Sequence, residues 1–317
     1  MISILNIEPD GFSKEATEIL SSIGRIDSGP FTRKELLKKL DFYDVLIVRL
    51  AHKIDREIID VAKKLKVVSS ATTGLNHIDV HYANKEGIEV LSLRGEIEFL
   101  ETIHATAEHT WALILSLIRK IPQAYSSVLD GKWNRDAFKG RELDGATLGI
   151  VGLGRIGKKI ANYGISFGMN VIAYTEGFYD NVYGVVRVDS LTELIKQSDI
   201  ISIHVPFDST TSKMFGKKEF REVKRGAIIV NTSRGEIIDE TELLNAIKDG
   251  NLSGAALDVL EDELALNQKN RKALVEFAKK DNRVLITPHI GGATFESMEK
   301  TEIFMANKVV NYFKERI

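Results

Sequence analysis

Short runs of consecutive apolar residues, many of them β-branched, alternate with amphipathic segments along most of this chain of 317 residues. Because the runs are continuous rather than alternating, they predict strands that are buried on both faces, as in parallel sheets covered by helices. The predicted strands are Ile2–Ile7, Val45–Val48, Val67–Ser70, Val90–Leu93, Leu148–Val151, Val171–Tyr174, Ile200–Val205, Ile228–Asn231, Ala255–Val259 and Val284–Thr287. Strands that alternate with helices in this way predict an α/β fold.

Amphipathic helices are predicted between these strands, at Glu35–Leu40, Asp55–Leu65, Leu191–Gln197 and Glu240–Asp249. A longer helical stretch, Ile103–Ile121, follows the first four strands, and a new series of strands begins at Leu148. We therefore predict one α/β unit before about residue 99 and a second one after it, with a last long helix over Ala293–Phe313. Two domains also suit the length, since a domain averages about 150 residues.

Composition narrows the classes of protein that the chain can represent. The formal net charge is −2, so the chain has no basic excess of the kind that binds nucleic acid by displacing counterions. It has no cysteine, which excludes disulfides, a thiolate nucleophile and zinc–cysteine sites. His77 and His81 are spaced like two metal ligands on a helix, but no third ligand is evident, and we expect no metal site.

No targeting or membrane segment is predicted. The first ten residues lack a basic stretch and include Glu8 and Asp10, unlike a signal peptide. The apolar stretch Trp111–Ile118 is shorter than the roughly 20 residues that cross a bilayer. We expect a cytoplasmic protein with no membrane or nucleic-acid partner.

A glycine motif, Gly152-Leu-Gly154-Arg-Ile-Gly157, lies between the predicted strand Leu148–Val151 and a helix predicted over Lys158–Phe167. In that context the spacing is typical of dinucleotide binding. The first glycine permits a tight turn, the second lets the backbone approach a pyrophosphate, and the third allows close packing of helix on strand. The free N–H groups of the helix N-terminus would bind the phosphates. A purely structural glycine turn is the alternative.

An acidic side chain about 20 residues after such a motif binds the ribose hydroxyls of NAD. Glu176 stands 19 residues after Gly157, directly behind Tyr174 and Thr175. No Arg or Lys occurs between Thr175 and Val186 to pair with a 2′-phosphate, which favours NAD over NADP.

Three polar side chains that are distant in sequence each follow a predicted strand: Arg234, Glu263 and His289. The carboxyl ends of parallel strands line the ligand crevice of such sheets. An arginine binds a substrate carboxylate in a fork geometry, a histidine gives a proton to a forming alkoxide, and a carboxylate orients the imidazole. This set suits reduction of a 2-oxo acid. Taken singly, each residue also has a structural interpretation. Arg234 could be a surface cation, Glu263 a solvated acid and His289 a hydrogen-bonded structural histidine.

With these motifs the sequence resembles the D-isomer-specific 2-hydroxyacid dehydrogenases, which include phosphoglycerate, glyoxylate/hydroxypyruvate and D-lactate dehydrogenases. The resemblance extends from about Leu46 to the final helix. The matching segments are Ala107-Glu-His-Thr110, Leu148-Gly-Ile-Val-Gly-Leu-Gly-Arg-Ile-Gly157, His204-Val-Pro206, Asn231-Thr-Ser-Arg-Gly235, Ala255-Ala-Leu-Asp-Val259 and Pro288-His-Ile-Gly-Gly292.

The resemblance implies two Rossmann-like domains with parallel sheets. A cofactor domain, residues 99–288, would be inserted in a flavodoxin-like substrate domain built from residues 1–98 and 289–317. The final helix would thus return to the N-terminal domain. The family also implies a homodimer that pairs through the cofactor domains.

The resemblance also implies roles for individual residues. Arg234, Glu263 and His289 would be catalytic, and backbone N–H groups at Thr73 and Gly74 would bind the substrate carboxylate. NAD would contact Thr110, Gly152, Gly154, Arg155, Ile156, Gly157, Thr175, Glu176, His204, Val205, Pro206, Thr232, Ser233, Asp258, Gly291 and Gly292.

Arg49 and Arg94 both follow predicted strands of the first unit, and they are candidates for binding a second anionic group of the substrate. Both also suit surface charges. The sequence departs from the family pattern at two of the predicted contacts. Thr175 stands where the family usually has an Asp, and Thr72 stands where the substrate turn usually begins with glycine.

The expected function is an NAD-dependent oxidoreductase that transfers a hydride between the nicotinamide and C2 of a small D-2-hydroxy acid or 2-oxo acid. The alternative is an NADH-binding partner protein on the same scaffold that senses redox state, like the family's corepressor branch, without significant turnover.

Overall fold

Strands and helices alternate along the computed structural model, which describes residues 1–177, 182–263 and 273–316. The strands are β1 Ile2–Asn6, β2 Gly24–Ser28, β3 Val45–Val48, β4 Val67–Ser70, β5 Glu89–Ser92, β6 Thr147–Val151, β7 Asn170–Tyr174, β8 Val185–Arg187, β9 Ile200–Ile203, β10 Ala227–Asn231, β11 Leu252–Leu257 and β12 Val284–Ile286.

The helices begin at capping residues such as Ser13, Thr32, Asp55 and Asp79, whose side chains accept a backbone N–H of the first turn. They are α1 Lys14–Ser21, α2 Arg33–Lys39, α3 Arg56–Val61, α4 Val80–Lys85, α5 Ile97–Glu101, α6 Ala105–Ile118, α7 Ile121–Leu129, α8 Arg155–Ser166, α9 Leu191–Gln197, α10 Lys217–Glu222, α11 Glu240–Lys248, α12 Ala273–Ala278 and α13 Phe295–Lys314. Short 3-10 turns lie at Leu40–Phe42, Arg135–Phe138 and Gly235–Ile237.

The chain divides into two units. Unit 1 comprises Met1–Ile103 together with Ala293–Ile317, and unit 2 comprises His104–Gly292. The breaks thus lie at 103/104 and 292/293, a few residues after the predicted 98/99 and 288/289. Helix α5 lies in unit 1, and the residues just after β12 lie in unit 2.

Unit 1 is built on a parallel five-stranded sheet in the order β2-β1-β3-β4-β5. This is the flavodoxin-like order. Helix α13 packs with α1 on one face, where Met305, Val309 and Phe313 join Leu20 and Val45 in the core. The other face packs against a second apolar cluster that includes residues of α2, α3 and α4.

Unit 2 is built on a parallel seven-stranded sheet in the order β12-β11-β10-β9-β6-β7-β8. The strand order reverses between β6 and β9, as in a Rossmann fold, and ligands bind at such a switch point. Both faces are covered, one by helices that include α6 and α8 and the other by helices that include α9 and α11. The predicted fold class is therefore confirmed: both sheets are parallel and belong to α/β units.

The sequence pattern missed two strands, β2 and β8. Each lies at the edge of its sheet and carries few buried residues, so neither contains the continuous apolar run that marks a central strand. The predicted helix Ile103–Ile121 is also wrong at its end, because α6 stops at Ile118. Lys120 then takes a left-handed conformation (φ 54°) before α7 begins.

Two absences apply to the described residues alone. None of their helices combines the length and apolar character that crossing a bilayer would need. Nor do three or more of their His, Asp and Glu side chains cluster as ligands for a metal ion.

Candidate active site

The glycine loop joins β6 to α8 at the point where the sheet order of unit 2 reverses. Gly152 has φ +94°, and a Cβ there would lie 2.7 Å from the carbonyl oxygen of His204. A Cβ on Gly157 would lie 2.1 Å from the carbonyl oxygen of Gly152. Gly154 differs from both, because a Cβ there would meet no heavy atom within 4 Å. The loop is therefore tightly packed at its ends and open at its centre.

Helix α8 begins directly behind this opening. Gly154 is its N-cap residue and offers no side-chain cap to the first N–H groups. Those groups and the positive end of the helix dipole form an anion site, so the loop fits a dinucleotide pyrophosphate. Arg155 and Ile156 are half-buried in the first turn of the helix.

The residues predicted to meet the ribose follow β7. Thr175 is half-buried and Glu176 is exposed. The Tyr174 hydroxyl donates to Glu176 Oε1 over 3.3 Å, which ties the carboxylate to the end of the strand. The acidic group thus stands one position later than the family's usual Asp.

His204 follows β9 and is held by the hydroxyl of Ser202, which lies 2.7 Å from its Nε2. Burial lowers the pKa of His204 to about 3, so the imidazole is neutral near pH 7. The following residue, Val205, is half-buried, whereas Pro206 is exposed. Thr211 anchors this loop by donating its hydroxyl to the carbonyl of Pro206 over 2.7 Å.

The loop after β10 is organised by Asn231, whose side chain is inaccessible to solvent. Its Oδ1 accepts the backbone N–H and the hydroxyl of Ser233, and its Nδ2 donates to the carbonyl of Arg234. Thr232 pairs with Thr110 of α6, with 2.8 Å between the two hydroxyl oxygens. Of the predicted cofactor residues, Thr232 and Ser233 therefore lie in one hydrogen-bonded loop, and Thr110 of α6 is bonded to that loop.

Arg234 is half-buried. Burial lowers the pKa of its guanidinium, and the carboxylates of Glu263 and Glu236 oppose that shift. Its neighbour Gly235 packs against the backbone after β11, where a Cβ would lie 2.0 Å from the carbonyl carbon of Leu260. Glycine at this position lets the Arg234 loop approach the segment that leads to Glu263.

Asp258, just after β11, is the centre of a buried network. Its Oδ1 accepts from His109 Nε2 (3.1 Å), the Thr287 hydroxyl (2.6 Å) and the N–H of Ile290 (2.9 Å), and its Oδ2 accepts the N–H of Gly291 (2.7 Å). Burial by itself would raise the pKa of this carboxyl, but the four hydrogen bonds outweigh it and hold the pKa below its usual range.

His289 lies beyond β12 in a left-handed conformation with φ 55°. Its backbone N–H donates to the carbonyl of Asp258 over 2.8 Å. Its Nδ1 lies 2.5 Å from Glu263 Oε1, and both side chains are partly exposed. Because a carboxylate only accepts hydrogen bonds, Nδ1 carries the hydrogen, and Nε2 is the ring atom left for chemistry. Gly292, three residues after His289, has open space where a Cβ would stand.

Unit 1 holds the predicted substrate residues. Thr73 is exposed and Gly74 half-buried in a turn closed by the Thr72 hydroxyl, which donates to the Gly74 carbonyl over 2.9 Å. Thr72, in place of the family's glycine, thus stabilises the turn. Arg94 is exposed, and its backbone N–H donates to the hydroxyl of Ser92.

Arg49 is committed to contacts within unit 1. Its guanidinium donates to the Asp10 carbonyl over 2.9 Å and lies 3.5 Å from the buried carboxylate of Glu302. Glu8 lies 3.9 Å from its Nε and also accepts its backbone N–H. Two carboxylates therefore already face the one cation.

Sequence reasoning missed two side chains of the Asp258 network, His109 and Thr287. The available signal was the place of His109 next to Thr110, inside a family motif. Thr287 directly precedes the Pro288-His289 motif, so its position could have suggested a role in the same loop.

Known proteins are similar to this chain over nearly its whole length. The chain is 38% identical to D-3-phosphoglycerate dehydrogenase of Methanocaldococcus jannaschii over 313 residues, which are 98% of this chain and 57% of that protein. It is also 38% identical to hydroxypyruvate reductase of Thermotoga maritima over 308 residues, 96% of each chain. The chain therefore spans little more than half of the first relative and almost all of the second.

One solved structure is also similar to this chain over nearly its whole length. D-lactate dehydrogenase from Aquifex aeolicus, complexed with NAD and lactic acid, superposes with a TM-score of 0.87 at 29% identity, over 99% of this chain and 96% of that one. Residues 111–291 match the model of the D-isomer specific 2-hydroxyacid dehydrogenase NAD binding domain. Unit 2 is therefore an NAD-binding domain, and the chain belongs to the D-isomer specific 2-hydroxyacid dehydrogenase family.

Proposed function

We propose that this protein is an NAD-dependent dehydrogenase that interconverts a small 2-oxo acid and the corresponding D-2-hydroxy acid. The observation that carries the proposal is the pair formed by Glu263 Oε1 and His289 Nδ1, 2.5 Å apart, with the Arg234 guanidinium in the field of the same carboxylate. Acid–base chemistry on a 2-oxo acid needs these three groups.

The proton would come from His289. In the direction of reduction, its Nε2–H gives a proton to the oxygen that forms at C2 of the substrate, while Glu263 accepts the hydrogen bond from Nδ1 and keeps the ring oriented. Bound NADH supplies the hydride. Hydride and proton together would convert the carbonyl group into the hydroxyl group. In the reverse direction, oxidation of the hydroxy acid would return the proton to His289.

Arg234 would bind the C1 carboxylate. Its burial strengthens such an ion pair, because a charge away from bulk water is poorly screened. A guanidinium also fixes a carboxylate through two parallel hydrogen bonds. The open centre of the glycine loop and the uncapped start of α8 would hold the pyrophosphate, and Glu176 the ribose hydroxyls.

The remaining substrate contacts are proposed for unit 1. Backbone N–H groups at Thr73 and Gly74 would bind the substrate carboxylate, and Arg94 and Arg49 would bind a second anionic group. Arg94 suits this role better, since its side chain is exposed while that of Arg49 is opposed by Glu8 and Glu302.

The test is a spectrophotometric assay of NADH and NADPH oxidation. Wild type is supplied with glyoxylate, hydroxypyruvate, 3-phosphohydroxypyruvate, pyruvate and 2-oxoglutarate, beside a His289→Ala control. We expect turnover of at least one acid, preference for NADH, and loss of turnover in His289→Ala with NADH affinity retained. Tight NADH binding without turnover on any acid would instead favour the redox-sensing partner protein, and an active His289→Ala would exclude the proposed proton donor.

A homodimer is proposed on the evidence of α7. No residue of this helix is buried, and Ile121, Tyr125, Val128 and Leu129 are exposed, with Trp133 just beyond them 89% exposed. Large apolar side chains concentrated on one surface element mark an interaction site. Light scattering at micromolar concentration should give twice the chain mass for wild type and a lower mass for Leu129→Asp, and a monomeric wild type would contradict the proposal.

A further inference from the structure

His109 lies on α6, and its ring reaches the ends of two strands. Its Nε2 is 3.1 Å from Asp258 Oδ1, after β11, and 3.0 Å from the Thr287 hydroxyl, after β12. The side chain is 17% exposed and that of Asp258 is 1% exposed, so water does not compete strongly for these bonds. The acid–base role proposed for His289 does not involve His109, and His109 is not among the residues predicted to contact NAD.

The direction of the hydrogen bonds follows from chemistry. An ionised carboxylate only accepts, and the Thr287 hydroxyl donates to Asp258 Oδ1 over 2.6 Å. The Nε2 of His109 therefore carries a hydrogen that it donates to both oxygens. Asp258 thus receives two side-chain donors, one from the helix and one from the strand end.

Asp258 transmits this constraint to the catalytic loop. Its carboxylate accepts the N–H groups of Ile290 and Gly291, and its backbone carbonyl accepts that of His289. His289 has φ 55°, a conformation that costs free energy for a residue with a Cβ and persists only where the surroundings impose it. Three successive N–H groups bound to one aspartate supply that constraint.

We propose that His109 is a positioning residue for the reaction. By fixing the Asp258 carboxylate from the side of α6, it holds the backbone of residues 289–291 in the geometry that presents His289 to Glu263 and to the substrate. This inference rests on the proposed function. A displacement of about 1 Å at a catalytic group lowers a rate by about 100-fold, so loss of the His109 contact should reduce kcat far more than cofactor affinity.

The experiment compares three replacements of His109 with Thr287→Val. Gln carries an amide N–H near the position of the ring Nε2, whereas the shorter Asn carries its N–H near that of Nδ1, and Leu has no donor. We expect kcat to fall 10- to 100-fold in His109→Leu and His109→Asn and to stay within about 3-fold of wild type in His109→Gln. The Kd for NADH should change less than kcat in all of them, because the glycine loop and the start of α8, which would bind the pyrophosphate, lie outside this network.

Wild type is first assayed with the panel of 2-oxo acids, and its failure to turn over any of them would reject the proposed function rather than the role of His109. With an active wild type, equal kcat in wild type and His109→Leu would overturn the inference, and so would equal losses in the Gln and Leu variants. If His109→Leu does not fold, the two amide variants decide: kcat should be lower in His109→Asn than in His109→Gln, and equal kcat in the two would overturn the inference. Thr287→Val removes the other side-chain donor to Asp258 and should also lower kcat more than it raises the Kd for NADH.

Discussion

Alanine at two glycines of the loop after β6, three residues apart, should separate cofactor binding from stability. At Gly154 the added methyl meets no heavy atom within 4 Å, and the backbone, with φ −78°, accepts an alanine. At Gly157 the methyl would lie 2.1 Å from the carbonyl oxygen of Gly152. The first variant should fold normally and bind NADH poorly, whereas the second should be destabilised.

The magnitudes follow from the local geometry. Alanine is a worse N-cap than glycine but reduces the entropy of the unfolded chain, and these opposing effects are each about 0.5–1 kcal/mol. Gly154→Ala should thus change the free energy of unfolding by less than about 1 kcal/mol. In Gly157→Ala the backbone must move about 0.9 Å to relieve the contact, and overpacking of this kind costs about 1–3 kcal/mol.

Binding should respond in the opposite sense at Gly154. Its methyl occupies the approach to the helix N-terminus, so the Kd for NADH should rise at least about 10-fold, which is about 1.4 kcal/mol. Fluorescence titration with NADH measures the Kd, and thermal unfolding measures stability, at about 2–4 °C per kcal/mol. Wild-type NADH affinity in Gly154→Ala would contradict this prediction and show that the pyrophosphate does not bind at the open centre of the loop.

Three further predictions concern other parts of unit 2. Glu176→Ala should raise the Kd for NADH and so bring it closer to the Kd for NADPH. An unchanged ratio of these two Kd values in titrations would contradict the proposed ribose contact. Gly235→Ala forces a Cβ to within 2.0 Å of the Leu260 backbone, so kcat should fall about 100-fold with NADH affinity retained, and an undiminished kcat would show that this packing does not position Arg234. The lowered pKa of Asp258 means that its stabilising effect is present above the ordinary carboxyl pKa and is lost as pH falls through the lowered one. Asp258→Asn should therefore lower the free energy of unfolding most near pH 7 and less in acid. Urea unfolding at both pH values measures this loss, and an equal loss at the two would contradict the prediction.

The central strands could be predicted because burial on both faces requires continuous apolar runs. The runs at Val45–Val48 and Val67–Ser70 coincide with β3 and β4. The edge strands β2 and β8 could not be predicted in this way, because each is hydrogen-bonded to a single neighbouring strand and its side chains are largely solvated. Their position depends on the sheet, which a local pattern does not encode.

The candidate site divides in the same way. Arg234, Glu263 and His289 could be singled out as candidates because each follows a strand, and the topology of a parallel sheet brings strand ends together. The side chains that surround the candidate site come from other elements, as His109 of α6 does beside Asp258, and a single sequence gives no measure of such distances. The same holds for Arg49, whose pairing with Glu302 joins residues that lie 253 positions apart.

The composition of unit 1 has a consequence for folding during synthesis. Its core needs Met305, Val309 and Phe313 of α13, which the ribosome produces only after the whole of unit 2. Roughly 190 residues intervene, which at about 5–20 residues per second delays completion of unit 1 by about 10–40 s. Until then the part of the apolar face at β4 and β5 against which α13 packs stays uncovered, although all of unit 2 has already been synthesised. This interval is when the chain is most exposed to aggregation and has most need of a chaperone.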